Sequence, residues 1–470
     1  MLFLPELSLL GTGLLFFFFS LGAHTSGTIR NAAILLSAIT LAAALATVNV
    51  SGELFYGAYK VDLFSQVFKI LIAMATLIVV IFSDQLPGIK SKFLSEYYLF
   101  LSMSVLGLMM LVSSVELLAI FVALELSSFA VYIMVPMRNE MHGAKAQMEA
   151  GIKYLLFGVA ATGFMLFGMS YLYGLTGSTR LDVIISRLAG LYTQPAAVIA
   201  IALVLAGFFY KLALFPFHFW VPDVYEGASN ETTAFIAAVP KIAAVAMLVR
   251  FVTLASGDGS VLVNLLMVCA VLSMFYGNLS ALVQKDFKRM LGFSGIAHAG
   301  FVLLGLLTFQ VTGYATALYY ISGYVFMNLA CFLVICSVSK DGRNLAIEDL
   351  SGLHKRAPLL ALTLTVGLFS LAGIPPFVGF TGKFMLLVGA LREDYLLLVI
   401  LAAINTAIAI FYYLSVVRLT FCSDPENRGS VEAGIMTNAT SVLLILVIIV
   451  MGVVPSRFLD FAQSTIQSIM

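Results

Sequence analysis

The chain has 470 residues, of which 61% are hydrophobic and only 10% charged, and its mean hydropathy is +1.05. Soluble domains run roughly 45–50% apolar and about 25% charged, so the composition excludes a soluble globular protein and indicates a polytopic membrane protein. The formal net charge of +1 argues against nucleic acid as a partner, and the four cysteines (Cys269, Cys331, Cys336, Cys422) form no C-x-x-C pair, which weakens iron–sulfur, zinc and disulfide readings.

At about 20 apolar residues per crossing, the sequence predicts fourteen transmembrane helices. They fall at 2–21, 31–50, 63–85, 96–114, 115–137, 149–175, 195–224, 232–254, 261–283, 288–309, 314–338, 358–390, 395–420 and 434–454. The first, "MLFLPELSLLGTGLLFFFFSLGA", lacks a basic n-region and reads as a spanning helix rather than a cleaved leader. No soluble domain is left between helices, and residues 455–470 read as an amphipathic tail.

Orientation follows from loop lysines and arginines. Loops after odd-numbered helices hold fourteen (Arg30, Lys90, Lys92, Arg138, Lys145, Lys285, Lys288, Arg289, Lys340, Arg343, Lys355, Arg356, Arg418 and Arg428). Loops after even-numbered helices and the tail hold six: Lys60, Arg180, Arg187, Arg250, Arg392 and Arg457. The bias places the odd-to-even loops in the cytoplasm and both termini on the other side.

Five lysines remain, all inside predicted helices: Lys69, Lys153, Lys211, Lys241 and Lys383. A charge in the bilayer core costs at least about 2.5–3.5 kcal/mol and by default marks an ion or proton path. Lys69 and Lys153 sit near helix ends, where a long side chain can also reach the headgroups. Lys211, Lys241 and Lys383 lie near mid-depth. Glu125, in "FVALELSS", lies near the middle of helix five, whereas Glu116 starts that helix and reads as interfacial. Glu149 and Lys153 are spaced i, i+4, which permits an ion pair.

Two helices carry internal breaks. Pro216 falls in helix seven and Pro375-Pro376 in helix twelve. A proline removes a backbone hydrogen bond and clashes with the preceding turn. In hydrocarbon such a break persists only where protein or water satisfies the freed groups. Each break has a lysine close by, Lys211 before Pro216 and Lys383 after Pro376. The breaks lie five helices apart in helices of opposite direction. That spacing predicts an inverted repeat, helices four to eight against nine to thirteen, although "ALFPFHF" and "LAGIPPFVGF" share little sequence. Helix ten then carries His298, in "GIAHAG", where helix five carries Glu125. The implied divisions are 1–95 for helices one to three, 96–256 and 257–422 for the two repeats, and 423–470 for helix fourteen and the tail.

These residue types suit proton transfer. A lysine in a dry site holds its proton less tightly, and a nearby carboxylate tightens the hold again. A Glu125–Lys211 contact that forms and breaks would switch the lysine between holding and releasing a proton. Lys241 and His298 would continue the path toward Lys383, since imidazole titrates near neutral pH. Ser127, Ser128 and Ser294 can order connecting water. The chain carries no G-x-G-x-x-G and no P-loop. A haem ligated by His218 and His298 would leave the lysines without a role. Energy for pumping must therefore come from another subunit.

At these residues the chain resembles a known family. "PFHFWVPDVYEG", "TAFIAAVPKIAA", "MLGFSGIAHAGF" and "LFSLAGIPPFVGFTGKF" are similar to the antiporter-like membrane subunits of respiratory complex I, the proton-translocating NADH:quinone oxidoreductase. "FVALELSS" extends the match to helix five. "VPDVYEG" followed by "AAVPK", and "YGLTGST", are most similar to the subunit N branch. The resemblance implies proton translocation coupled to quinone reduction elsewhere in the complex. It implies a switching pair Glu125–Lys211, a central Lys241, the helix-ten His298, a terminal Lys383, and Lys153 as a modulator of the pair. It also implies no cofactor in this chain, with flavin, iron–sulfur clusters and quinone in partner subunits. The expected partners are sister antiporter-like subunits and small membrane subunits, in a bacterial-type inner membrane.

The family commonly reads Ala-Pro-Thr-Pro after "VPDVYEG"; here "ASNETTAF" lacks both prolines. The lineage is divergent there, so the electron donor need not be NADH. A subunit of a multi-subunit cation/proton antiporter is the alternative. A stand-alone carrier of an organic substrate fits less well, because the chain has no polar cluster for a bulky ligand.

Overall fold

A computed structural model describes residues 1–83, 86–139, 146–188, 191, 194–252, 260–424 and 428–469. The chain builds α1 (Leu4–Ser20), α2 (Ser26–Ala46), a short hairpin of β1 (Gly52–Leu54) and β2 (Tyr59–Val61), α3 (Leu63–Phe82), α4 (Leu94–Ser113), α5 (Leu117–Met134), α6 (Ala146–Thr176) and α7 (Leu181–Leu188). There follow α8 (Pro195–Leu212), α9 (Val221–Gly227), α10 (Asn230–Val252), α11 (Ser260–Ala281), α12 (Phe287–Leu306), α13 (Val311–Val338) and α14 (Leu353–Arg356). The last elements are α15 (Pro358–Ala372), α16 (Val378–Arg392), α17 (Leu396–Cys422), α18 (Ile435–Val453) and α19 (Pro455–Gln467).

Among the described residues twelve helices are long and apolar enough to cross a membrane, and the shorter apolar helices α1 and α15 bring the crossings to fourteen. The hairpin and α7 were not foreseen from sequence. Antiparallel pairing in the hairpin sets Glu53 opposite Lys60. The Lys145 of the orientation count, and the 256/257 repeat boundary, lie outside the described residues.

The connections sort into two groups, as alternating crossings require. At one end Ile89 bridges Arg138, Asp286 bridges Ala346, and Arg138 donates to the carbonyls of Glu226 and Gly342. At the other end Tyr59 bridges Ser114, Glu116 bridges Arg180, and Arg250 binds Asp62 at 3.0 Å. The first end gathers the basic loops. Every residue of α10 is buried, so this helix forms the centre of the molecule.

The two halves repeat in construction. Glu116 caps α5 by accepting from Ala119 N at 2.8 Å, and Asp286 caps α12 by accepting from Arg289 N at 2.9 Å. Gly107 of α4 lets α5 approach so closely that a Cβ there would lie 2.5 Å from Ser127 N and 2.8 Å from Ala123 O. Gly277 of α11 does the same for α12, with Ala297 N at 2.6 Å and Phe293 O at 2.5 Å. Asp286, Gly277, Phe293 and Ala297 each lie 170 residues after Glu116, Gly107, Ala123 and Ser127. This register corrects one sequence expectation. His298 corresponds to Ser128, one helical turn beyond Glu125, and the counterpart of Glu125 is Gly295.

Candidate proton-transfer site

Both breaks start before their prolines. α8 ends at Leu212 because Ala213 turns left-handed (φ 66°), and Leu214 N returns to Phe209 O at 2.8 Å. α15 ends at Ala372 because Gly373 turns left-handed (φ 85°), and Ile374 N returns to Phe369 O at 3.0 Å. Each terminus satisfies its last carbonyls in the same way. Cis peptide bonds follow at Phe215–Pro216 and Pro375–Pro376.

Lys211 occupies the last turn of α8, where the negative end of the helix dipole favours a cation. It is 2% exposed, and its ammonium donates to Ser128 Oγ at 3.0 Å. That hydroxyl in turn donates to Leu124 O at 2.9 Å. Glu125 lies three residues before Ser128 on α5 and within electrostatic reach of Lys211. Among the described residues no ion pair joins the two, and Glu125 Oε1 is buried without a hydrogen-bond partner. Acid and ammonium are thus near each other without an ion pair, and Lys211 is hydrogen-bonded to Ser128 instead.

The second half holds a longer polar cluster. Lys241 Nζ, on α10, donates to Gly295 O at 3.2 Å and to Tyr324 Oη at 3.4 Å. Asn328 Nδ2 donates to the same tyrosine oxygen at 2.6 Å. His298 Nδ1 meets Tyr320 Oη at 2.6 Å and its Nε2 meets Tyr413 Oη at 3.2 Å. Tyr413 also bonds Ser294 Oγ. Each tyrosine hydroxyl can donate and accept, and the imidazole tautomer sets which it does. His298 lies within electrostatic reach of both Lys241 and Lys383. Lys383, on α16, reaches back across the break and donates to Leu371 O at 2.8 Å and Ala372 O at 3.4 Å. These are carbonyls that the end of α15 leaves free.

The structure therefore brings Lys241, His298 and Lys383 into one buried region and sets Glu125 and Lys211 near each other. Among the described residues no hydrogen bond links Lys211 directly to Lys241. Lys153 stands apart from that pair, in a half-exposed ion-pair chain. It binds Glu149 at 2.7 Å and Asp223 of α9 at 2.6 Å, and Arg289 of α12 joins Asp223 and Glu226 at 3.1 and 2.5 Å. His218 is buried against Phe215, Phe219 and Tyr276, and neither ring nitrogen has a hydrogen-bond partner. Lys69 does not reach the headgroups. It is fully buried and pairs with Glu6 at 2.8 Å, while Tyr59 Oη donates to the same carboxylate at 2.6 Å.

Tyr320, Tyr324, Tyr413 and Asn328 were not singled out from sequence. Their signal was present: tyrosine and asparagine at four-residue intervals in otherwise apolar helices need a buried partner.

A fourteen-crossing helical bundle with two broken helices and buried lysines at each half is the architecture of an ion-translocating membrane subunit. Residues 114–409 match the family described as NADH:quinone oxidoreductase/Mrp antiporter, TM. The chain belongs to this family, whose members are subunits of multi-subunit membrane complexes. It is 52% identical, over 99% of its length and 98% of the relative's, to NADH-quinone oxidoreductase subunit N 2 of Opitutus terrae. It is 43% identical to the protein of the same name in Syntrophobacter fumaroxidans, over 100% and 99% of the two chains. A chain of respiratory complex I from Thermus thermophilus superimposes with a TM-score of 0.82 at 30% identity, covering 98% of this chain and 99% of that one. A chain of the Mrp complex from Dietzia shares the fold, with a TM-score of 0.87 at 21% identity over 100% and 98% of the chains.

Proposed function

We propose that this chain is the subunit N-type, proton-translocating membrane subunit of an NADH–quinone oxidoreductase. The observation that carries the reading is the buried region that holds Lys241, Tyr324, Ser294, Tyr413, His298 and Tyr320, with Lys383 within electrostatic reach of His298.

In this reading Glu125 and Lys211 are the switch. With the carboxylate close, the ammonium is held charged. With the carboxylate withdrawn, Lys211 keeps only the neutral Ser128 hydroxyl and gives up its proton more readily. The proton crosses by water to Lys241. It then passes between the two lysines through His298, which accepts at one ring nitrogen and releases from the other, with Tyr320 and Tyr413 fixing the ring. Lys383 is the terminal group, steadied by the free carbonyls of α15. Lys153 acts from the α9 ion-pair chain, where it can couple the segment after the first break to α12.

Flavin, iron–sulfur clusters and quinone belong to partner subunits, and the energy arrives through sister antiporter-like and small membrane subunits. The basic-loop end faces the cytoplasm of a bacterial-type inner membrane, and both termini face outward. The repeats are 96–256 and 257–422, between flanking segments 1–95 and 423–470.

The test is proton transport by inverted membrane vesicles, measured beside electron transfer to quinone. Lys211→Ala and Glu125→Ala should each cut proton transport strongly with the complex still assembled. Full transport in the double variant overturns the switch. Transport that needs sodium, in a complex without quinone reductase activity, would move the chain to the cation/proton antiporters.

A further inference from the structure

"ASNETTAF", where this chain departs from the family pattern, places an acid at the start of α10. Glu231 stands where the pattern has its second proline. It is 2% exposed; its Oε2 has no hydrogen-bond partner, while its own backbone N–H and the Ser229 hydroxyl approach the carboxylate. Among the described residues it makes no ion pair. A buried carboxylate kept only for structure is normally paired or hydrogen-bonded, because its desolvation is otherwise uncompensated.

The groups that face Glu231 come from α4, α12, α13 and the segment after α5, and Asp286 lies within electrostatic reach of Lys288 and Arg138. Lys288 of α12, counted among loop cations in the sequence, is fully buried and donates to Ala228 O at 2.9 Å. Arg138 lies behind the α5 end, Tyr97 on α4 and Cys336 on α13. Arg138 already spends its donors on Glu226 O, Gly342 O and Asn344 Oδ1. This cluster sits at the basic-loop end of the fold.

From Glu231 to Lys241 is ten residues, about 15 Å along α10. Polar atoms line the way. Tyr97 Oη, Tyr225 Oη and Asn328 Oδ1 are all buried without a hydrogen-bond partner. Tyr225 lies within electrostatic reach of Tyr324, and Asn328 bonds Tyr324, which bonds Lys241. On α13, Tyr324 and Asn328 lie one turn apart beside Lys241, and Cys336 lies about two turns further on, beside Glu231. Buried polar atoms left unpaired by protein are where water binds.

We propose that Glu231 is a proton-relay residue connecting the basic-loop end of the fold to Lys241. It rests on the transport reading above. The carboxylate takes a proton from water at the loop end and becomes a carboxylic acid. It then passes that proton through water along the Tyr225–Asn328–Tyr324 face to the Lys241 amine, and returns to carboxylate. No other bond forms or breaks.

The competing role is charge balance, in which Glu231 only neutralises Lys288 and Arg138. Three variants of the full complex separate the two: Glu231→Gln, Glu231→Asp and the double variant Glu231→Gln/Lys288→Gln. Proton transport per quinone reduced is compared with Lys211→Ala, and assembly is followed by native gel and thermal melting. A relay predicts that Glu231→Gln loses transport as deeply as Lys211→Ala, on the order of tenfold or more. It predicts that Glu231→Asp retains transport and that the double variant assembles without recovering it. Normal transport in Glu231→Gln, or recovery in the double variant, overturns the proposal in favour of charge balance. The double variant carries the test if the single one does not assemble, since it removes the charge imbalance. Normal transport in Lys211→Ala would instead bring down the transport reading itself.

Discussion

Gly295→Ala adds one methyl group at the point where the central lysine meets α12. The new Cβ would lie 2.8 Å from Lys241 Nζ and 2.9 Å from Tyr324 Oη. Ordinary contact begins near 3.4 Å, so the ammonium must retreat by at least about 0.6 Å. Its bond to Gly295 O is already 3.2 Å long and does not survive that move. Both obstructing atoms end flexible side chains, so the backbone has no need to shift. Alanine also gains about 0.8–1.0 kcal/mol of helix propensity over glycine. Set against the hydrogen bond that is lost, this leaves folding weaker by no more than about 2 kcal/mol. The lost contact is a hydrogen bond from a charged donor, worth about 1.5–3 kcal/mol. If that loss falls on the transfer step, the step slows roughly ten- to a hundredfold. The assay is proton transport in reconstituted vesicles beside thermal melting of the complex. Unaltered transport in a folded complex would refute the role given to Lys241. A collapse of the melting temperature would refute the packing argument.

Lys69→Met should destabilise the complex by about 3–5 kcal/mol, because it leaves Glu6 buried and unpaired; Lys69→Met/Glu6→Gln should recover most of the loss, and equal melting of the two variants would show that the pair is not the cause. Ala213→Gly removes a Cβ from a left-handed position and should raise stability by up to about 1 kcal/mol, read as a higher melting temperature with transport unchanged. Asp182, outside the membrane, is held below the ordinary carboxylate range by its hydrogen bonds from Arg180. Its contribution is complete above that range and is lost as the pH falls through the lowered value. The pair is exposed, so Asp182→Asn should cost under about 1 kcal/mol, and a larger acid-dependent loss would show hidden coupling.

The candidate site's ionisable residues are legible in the sequence. Lys211, Lys241, Lys383, Glu125 and His298 stand out because a charge or imidazole in an apolar run needs a reason. The prolines marked both breaks, although the helices end three or four residues earlier, at residues that turn left-handed. The register between the halves was not legible. It depends on where α4 touches α5 and α11 touches α12, and only the close approaches at Gly107 and Gly277 fix it. That is why His298 was set against Glu125 and belongs with Ser128. Lys69 and Lys288 look like end-of-helix cations in one dimension. Their burial comes from α1 and from the loop before α10, which are distant in sequence.

The sequence by itself determined that this is a membrane protein of fourteen crossings, with two interrupted helices and a small set of ionisable groups inside. Hydrocarbon thickness and the cost of a buried charge are properties of single segments, so composition and spacing reveal them. Tertiary structure alone decided which groups meet. Lys211 lies against Ser128 with Glu125 near it, Lys241 points into the space that Gly295 leaves, and Lys383 binds the carbonyls of α15. Hydrogen bonds reach only about 3 Å, and whether two helices bring side chains that close depends on the packing of the whole bundle.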